Sequence, residues 1–191
     1  MREPYPTPAL TGRFEAALKY AHALHSAQTR KGTAIPYFSH LMAVSALVIE
    51  NGGTEDQAIA ALLHDAAEDQ GGAARLSDVR ARFGEAVAQI VSDCTDAWTE
   101  PKPAWRMRKE KYLSILPNKP VTSLLVSLAD KVHNAEAIHQ DFLELGDGLW
   151  SRFSGGAEGT RWYYHELAKV FAQKLPGKLS QRLDRAVSGF S

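Results

Sequence analysis

Apolar residues recur with a helical period along nearly the whole chain. The stripe formed by Phe14, Ala17, Leu18, Ala21 and Leu24 predicts a first helix from about Thr11 to Ala27. The same period continues to two closing helices, over about 160–175 and 179–190. No segment combines period-two alternation with the turn residues of a hairpin, so we predict no strand. The chain is therefore expected to be all-α.

The length of the chain bounds its organisation. Its 191 residues suit one compact domain, and its hydrophobic fraction of 45% is enough for a sizeable core. We predict a single domain over 1–191, built as a bundle of about eight to ten helices.

Composition excludes several classes of protein. Lys plus Arg and Asp plus Glu both number 22, so net charge gives no reason to expect DNA, RNA or membrane binding. No segment holds the roughly 20 apolar residues that span a bilayer. Met1–Leu10 has three prolines and no apolar stretch typical of a signal peptide, so we expect the cytoplasm. Cys94 is the single cysteine, which excludes an intrachain disulfide and a Cys-rich zinc site.

The predicted third helix, from Thr54 to about Asp69, is the most informative segment. Residues 58–63 are small and apolar nearly all round, which predicts a buried helix. At about 100° per residue, the ionisable side chains that follow share one face of this helix: His64, Asp65, Glu68 and Asp69. A bound cation would compensate the cost of burying them. The alternative is a solvated helix end.

Two further residues extend this group. His40 opens the second helix, and Asp130 interrupts an apolar helix; taken alone, each is also explained by a capping, core or ion-pair role. Together with His64 and Asp65 they would make a mixed nitrogen and oxygen site. Such a site suits manganese, iron, cobalt or zinc, and it suggests metal-assisted hydrolysis of a phosphoester.

These residues lie in recognisable motifs. The ordered set His40, His64-Asp65 and Asp130 resembles the signature of the HD superfamily of metal-dependent phosphohydrolases. The wider segments resemble small alarmone hydrolases and the hydrolase domain of Rel/SpoT proteins, and they are Arg30-Lys31-Gly32, Pro36 to His40, His64 to Asp69, Phe83 to Val87, Val91 to Thr95 and Leu128 to Asn134.

The resemblance implies a fold and an activity. The fold would be an HD-type helical bundle, with its metal-site core at about 14–140 and the helices of 160–190 packed on it. The activity would be the manganese-dependent removal of the 3′-pyrophosphate from ppGpp or pppGpp, the alarmones of the stringent response. No synthetase domain fits after such a domain in this sequence, so we expect a stand-alone hydrolase.

The resemblance also assigns roles. His40, His64, Asp65 and Asp130 would bind Mn²⁺ or another divalent first-row ion. The catalytic pair, Glu68 and Asp69, would orient the attacking water or move its proton. Arg30 and Lys31 would contact the phosphates of the substrate, and Asn134 its sugar–phosphate portion.

Two other functions stay open at this stage. One is an HD phosphatase that acts on NADPH or a 5′-nucleotide, and the other is a non-catalytic nucleotide sensor. Each takes a small-molecule nucleotide, and the sequence leaves the oligomeric state undetermined. A second basic cluster has two interpretations, a solvated face or a rim for distal phosphates; its members are Arg106, Arg108, Lys109 and Lys111.

Overall fold

The computed structural model describes residues 9–96, 98 and 101–191. Over this part of the chain it has ten α-helices: α1 (Gly12–Leu24), α2 (Phe38–Glu50), α3 (Glu55–Leu63), α4 (Ala66–Asp69), α5 (Gly72–Phe83), α6 (Glu85–Cys94), α7 (Trp105–Ile115), α8 (Val121–Leu145), α9 (Gly156–Lys174) and α10 (Lys178–Ser188). Two 3-10 helices, Leu116–Asn118 and Gly146–Arg152, flank α8. The predicted all-α fold is confirmed.

The described residues divide into two compact units between Thr95 and Asp96. The first unit holds α1 to α6, and the second holds α7 to α10. Among the helices described, none has both the length and the apolar character needed to cross a membrane. The first eight residues, where a signal peptide was judged absent, lie outside the described residues. A single domain over 1–191 stays a prediction.

Helix α3 forms the centre of the first unit. Every residue from Gln57 to Leu63 is buried, and the helix packs against α1, α2 and α6. Its start is fixed by a capping box, in which the Thr54 side chain accepts from the backbone of Gln57 and the Gln57 side chain accepts from the backbone of Thr54. On the α2 side, the Ser45 hydroxyl donates to the carbonyl of Ala58 at 2.9 Å. The buried helix predicted from residues 58–63 is thus present.

The predicted helix over 54–69 is wrong in one respect, because it is not continuous. Helix α3 ends at Leu63, and α4 begins only at Ala66. In an unbroken helix the carbonyl of Ala61 would accept the N–H of Asp65. In the structure this carbonyl lies 2.8 Å from Nδ1 of His64. A side chain that competes for a backbone carbonyl in this way favours the end of a helix.

The stretch 146–159 carries five glycines, a composition typical of a loop, yet it is partly helical. A 3-10 helix covers Gly146–Arg152, and α9 begins at Gly156. Packing explains two of its glycines, since a Cβ atom would lie 2.7 Å from the Trp105 ring at Gly155 and 3.1 Å from it at Gly159. The glycines therefore serve a close approach between this ring and the backbone, which composition alone does not reveal.

Three residues of the second basic cluster form ion pairs within the second unit. Asp96 accepts from Nη1 of Arg108 at 2.6 Å and from Nζ of Lys109 at 2.5 Å. Arg106 bonds to Glu110 at 2.7 Å, and its guanidinium lies 3.4 Å from the centre of the Trp162 ring. The contacts with Asp96 argue against a purely solvated face for Arg108 and Lys109, whereas the Arg106 side chain is 53% exposed.

The Asp96 carboxylate is held in its charged form. Burial by itself would raise its pKa, but the charge and hydrogen bond of Lys109, together with the charge of Arg108, lower the pKa to about 2. The ordinary value for Asp is 3.8. Folding therefore favours the ionised carboxylate. Its contribution to the free energy of unfolding is complete at pH values above the ordinary pKa of 3.8, and it is lost as the pH falls through about 2.

We expect the substitution Asp96→Asn to lower the free energy of unfolding by about 2 kcal/mol at neutral pH, the equivalent of the gap between the two pKa values. Urea unfolding at several pH values measures this. The difference from the wild type should narrow as the pH falls from about 4 towards 2, because the Asp96 carboxylate is then protonated and becomes neutral, as the asparagine already is.

The matched control is Asp141→Asn. Asp141 also pairs with an arginine, Arg152 at 3.1 Å, but its side chain is 40% exposed. Its loss should lower the free energy of unfolding by less than about 1 kcal/mol. The stabilising role of the Asp96 carboxylate would be contradicted if both substitutions lowered the free energy of unfolding equally. It would also be contradicted if the effect of Asp96→Asn did not change with pH.

Candidate metal centre

Three predicted metal ligands converge in the first unit. His40 lies in the first turn of α2, and His64 and Asp65 lie between α3 and α4. One potential ligand atom from each lies within 4.8 Å of the other two. The Nε2 atoms of His40 and His64 are 4.0 Å and 2.9 Å from Oδ2 of Asp65. Both rings are buried, whereas the Asp65 side chain is 21% exposed. Among the described residues this is a cluster able to hold a metal ion.

The ring of His64 is oriented for coordination. Its Nδ1 faces the Ala61 carbonyl at 2.8 Å, and since a carbonyl only accepts, Nδ1 must carry the proton. In the neutral ring Nε2 then presents a lone pair to a carboxylate oxygen of Asp65, which is also an acceptor. A second proton or a cation must therefore lie between them. The backbone contact fixes the ring in the manner seen around metal-bound histidines, so the donor set fits a divalent ion.

Tyr37 supports the same carboxylate. Its hydroxyl donates to Oδ2 of Asp65. Its ring lies beside those of His40 and His25, at centroid distances of 5.3 Å and 5.5 Å. Tyr37 lies within the motif Pro36 to His40, but the sequence alone predicts no role for it. Its position just before α2, three residues ahead of His40, was the available signal.

The predicted catalytic pair, Glu68 and Asp69, forms the end of α4. Glu68 is half-buried and Asp69 is exposed. Oδ2 of Asp69 accepts a hydrogen bond of 2.9 Å from Nε2 of Gln28, a residue that sequence analysis passed over. The pair thus lies within five residues of His64 in the chain. Its catalytic role stays a prediction.

The predicted phosphate-binding residues lie on the connection between α1 and α2. A β-bridge joins Thr29 to Pro36, and the backbone N–H of Arg30 donates to the carbonyl of Ile35 at 2.8 Å. Gly32 has φ 74°, which lets the chain turn within this bridge. Arg30 is half-buried and Lys31 is exposed. The side chains are held on an ordered turn, and their contact with phosphate stays a prediction.

Asp130 and Asn134 lie on α8, in the second unit. The carboxylate of Asp130 accepts from Nζ of Lys131 at 2.6 Å and from Nδ2 of Asn134 at 2.5 Å. Asn134, predicted to contact substrate, is thus bonded to a predicted metal ligand. The role of Asp130 as a fourth ligand stays a prediction, since the cluster of three belongs to the first unit.

Lys131 is a charged residue that sequence analysis left unassigned. Burial alone would lower its pKa, but the adjacent Asp130 carboxylate raises the pKa well above its ordinary value. Its Nζ also lies 5.4 Å from the centre of the Tyr112 ring. Lys131 therefore stays cationic beside Asp130.

Comparison with known proteins decides the family. The HD domain family matches residues 17–155. The chain belongs to the HD domain family. Membership implies a divalent metal, and the buried His–Asp cluster supplies suitable ligands. In this HD domain the matched range includes all of the predicted site residues.

Relatives of this HD domain carry informative names. It is 35% identical over 121 residues to the guanosine-3′,5′-bis(diphosphate) 3′-pyrophosphohydrolase MESH1 of Xenopus tropicalis, which covers 62% of this chain and 65% of that protein. It is 31% identical over 128 residues to a probable enzyme of the same name from Synechocystis, covering 64% of this chain and 16% of that protein. The match thus spans slightly under two thirds of the first relative and a small part of the second.

A solved structure shares the fold. A metazoan ortholog of SpoT, described as hydrolysing ppGpp, superposes with a TM-score of 0.75 over 97% of both chains. Its sequence identity with this HD domain is 23%, so the likeness concerns the fold.

We expect the substitution Tyr37→Phe to weaken the binding of Mn²⁺ by about 10- to 100-fold, because Asp65 loses the hydroxyl that orients it. Calorimetric titration of the metal-free protein with manganese chloride measures the change in Kd. The matched control is Tyr20→Phe, since the Tyr20 hydroxyl also donates to a carboxylate of the first unit, that of Asp78. An unchanged Kd for Tyr37→Phe, or an equal loss in the control, would contradict the role of Tyr37.

Proposed function

We propose that this HD domain hydrolyses ppGpp and pppGpp at the 3′-pyrophosphate and releases pyrophosphate with GDP or GTP. The observation that carries the proposal is the convergence of His40, His64 and Asp65, with the acidic pair Glu68 and Asp69 on the short helix α4 that follows Asp65. MESH1 of Xenopus tropicalis, 35% identical, is named for this reaction, which supports the choice of substrate.

The metal in this proposal is Mn²⁺, bound by His40, His64, Asp65 and Asp130. When bound, a divalent ion supplies a Lewis acid and makes water more acidic. The mixed nitrogen and oxygen donors favour a first-row ion over calcium, and another ion of that class would fit the same donors. The ring of His64, held by the Ala61 carbonyl, needs no reorientation to bind.

The other side chains of the site have separate roles in the reaction. Glu68 and Asp69 orient the attacking water and accept its proton. The water oxygen forms a bond to the phosphorus that carries the 3′ oxygen. The bond between this phosphorus and the 3′ oxygen breaks, and the 3′ oxygen takes up a proton. Arg30 and Lys31 hold the phosphates, and Asn134 contacts the sugar–phosphate portion.

We propose that residues 1–191 act as one HD domain on a small-molecule nucleotide, with no DNA, RNA or membrane partner. The cytoplasm is the proposed compartment, since the sequence has a single cysteine and cannot form an intrachain disulfide.

The experiment offers ppGpp, NADPH and 5′-nucleotides side by side to the purified protein with manganese. We expect pyrophosphate from ppGpp, its loss on chelation by EDTA, and its return when Mn²⁺ is added back. Phosphate from NADPH or a mononucleotide alone would keep the HD chemistry and overturn the substrate. Nucleotide binding without turnover would favour a sensor.

Within this assay we expect Glu68→Gln to lower kcat for ppGpp by roughly 100- to 10,000-fold, because the amide cannot accept a proton from water. Binding of ppGpp, measured by calorimetry, should persist. The control Glu85→Gln changes an exposed residue paired with Arg80 and should leave kcat unchanged. If Glu68→Gln retained full turnover, the catalytic assignment would be overturned.

A further inference from the structure

We propose that Gln28 is a positioning residue for the reaction, because its side-chain amide holds the carboxylate of Asp69 in its working orientation. This inference rests on the proposed function, in which Asp69 belongs to the catalytic pair. Asp69 is exposed on the last turn of α4, a helix of four residues. A carboxylate in such a place keeps one orientation only if another group restrains it.

The contact between the two side chains has one chemical interpretation. The Gln28 amide lies 2.9 Å from Oδ2 of Asp69, and a carboxylate only accepts. The NH₂ group of Gln28 must therefore face Asp69, which leaves its oxygen on the other side. The orientation of the amide follows from this without any assumption about hydrogen positions.

The oxygen of Gln28 is held by two donors. Nδ1 of His25 lies 2.7 Å from it, and Nε2 of Gln70 lies 2.9 Å from it. His25 is 1% exposed, so its ring is fixed by packing, and its Nδ1 must carry a proton to donate. These two contacts lock the amide with its NH₂ group towards Asp69.

The backbone of Gln28 is fixed as well. Its N–H donates to the carbonyl of His25 at 3.0 Å, and its carbonyl accepts from the N–H of Tyr37 at 2.8 Å. Tyr37 in turn donates to Asp65 through its hydroxyl. One connection between α1 and α2 therefore restrains both a predicted metal ligand and a predicted catalytic carboxylate. Gln28 acts through Asp69 and needs no contact with substrate.

The test compares Gln28→Met, which keeps the length of the side chain and removes the amide, with the wild type. We expect kcat for ppGpp to fall by about 10- to 100-fold, as for a misplaced catalytic group. KM should stay within about twofold, and the Kd for Mn²⁺ should not change. The matched control is Gln89→Met, since Gln89 also donates to an aspartate, Asp93 at 3.1 Å, on an exposed face of α6.

A second measurement reports on the contact without turnover. The side-chain amide signal of Gln28, assigned by its loss in Gln28→Met, is followed by NMR in the metal-free protein. It should shift in Asp69→Asn and stay in place in Asp93→Asn. If Gln28 had a merely structural role, Gln28→Met would lower the thermal stability or raise KM. The amide signal of Gln28 would then be the same in Asp69→Asn as in the wild type.

The outcomes separate this inference from the proposed function. A kcat for Gln28→Met within twofold of the wild type, or an amide signal indifferent to Asp69→Asn, overturns the positioning role. If the wild type cleaves NADPH or a mononucleotide and not ppGpp, the proposed substrate fails, and the same comparison is made on the substrate that is cleaved. If it cleaves none, the proposed function fails and the amide signal alone decides whether Gln28 orients Asp69.

Discussion

The hydrogen bond from the His64 ring to the carbonyl of Ala61 is the interaction on which the candidate site depends. It fixes the tautomer of His64, because a carbonyl accepts only from a protonated Nδ1. It also takes a carbonyl that a continuous helix would use, and α3 ends at Leu63. One contact thus prepares a ligand atom and interrupts the helix where Asp65 has to turn towards it.

The burial of α3 explains why the carbonyl of Ala61 needs this hydrogen bond. Residues Gln57 to Leu63 are all buried, so the carbonyl of Ala61 has little access to water and its partner must come from the protein. Around the site, two carboxylates also accept hydrogen bonds from side chains that are distant in the sequence. Tyr37 reaches Asp65 and Gln28 reaches Asp69, both from the short connection between α1 and α2.

The second unit meets the cost of burying charge by local pairing. Asp96 lies against Arg108 and Lys109, and Asp130 lies against Lys131. In each case the neighbouring groups together outweigh the effect of burial. The pKa of Asp96 is lowered and that of Lys131 is raised as a result. Arg108 and Lys109 of α7 are therefore structural elements of this unit.

Sequence alone determined the helical class, the buried character of residues 58–63 and the types and order of the candidate ligands, because periodicity and residue chemistry are local properties. His40, His64 and Asp65 were named from the sequence, and the structure brings them together. Tertiary structure decided the break after Leu63 and the hydrogen bonds of Tyr37 and Gln28. The bond from Tyr37 to Asp65 spans 28 positions of the chain, and the bond from Gln28 to Asp69 spans 41. No periodic pattern encodes which distant side chain will donate a hydrogen bond to a given carboxylate.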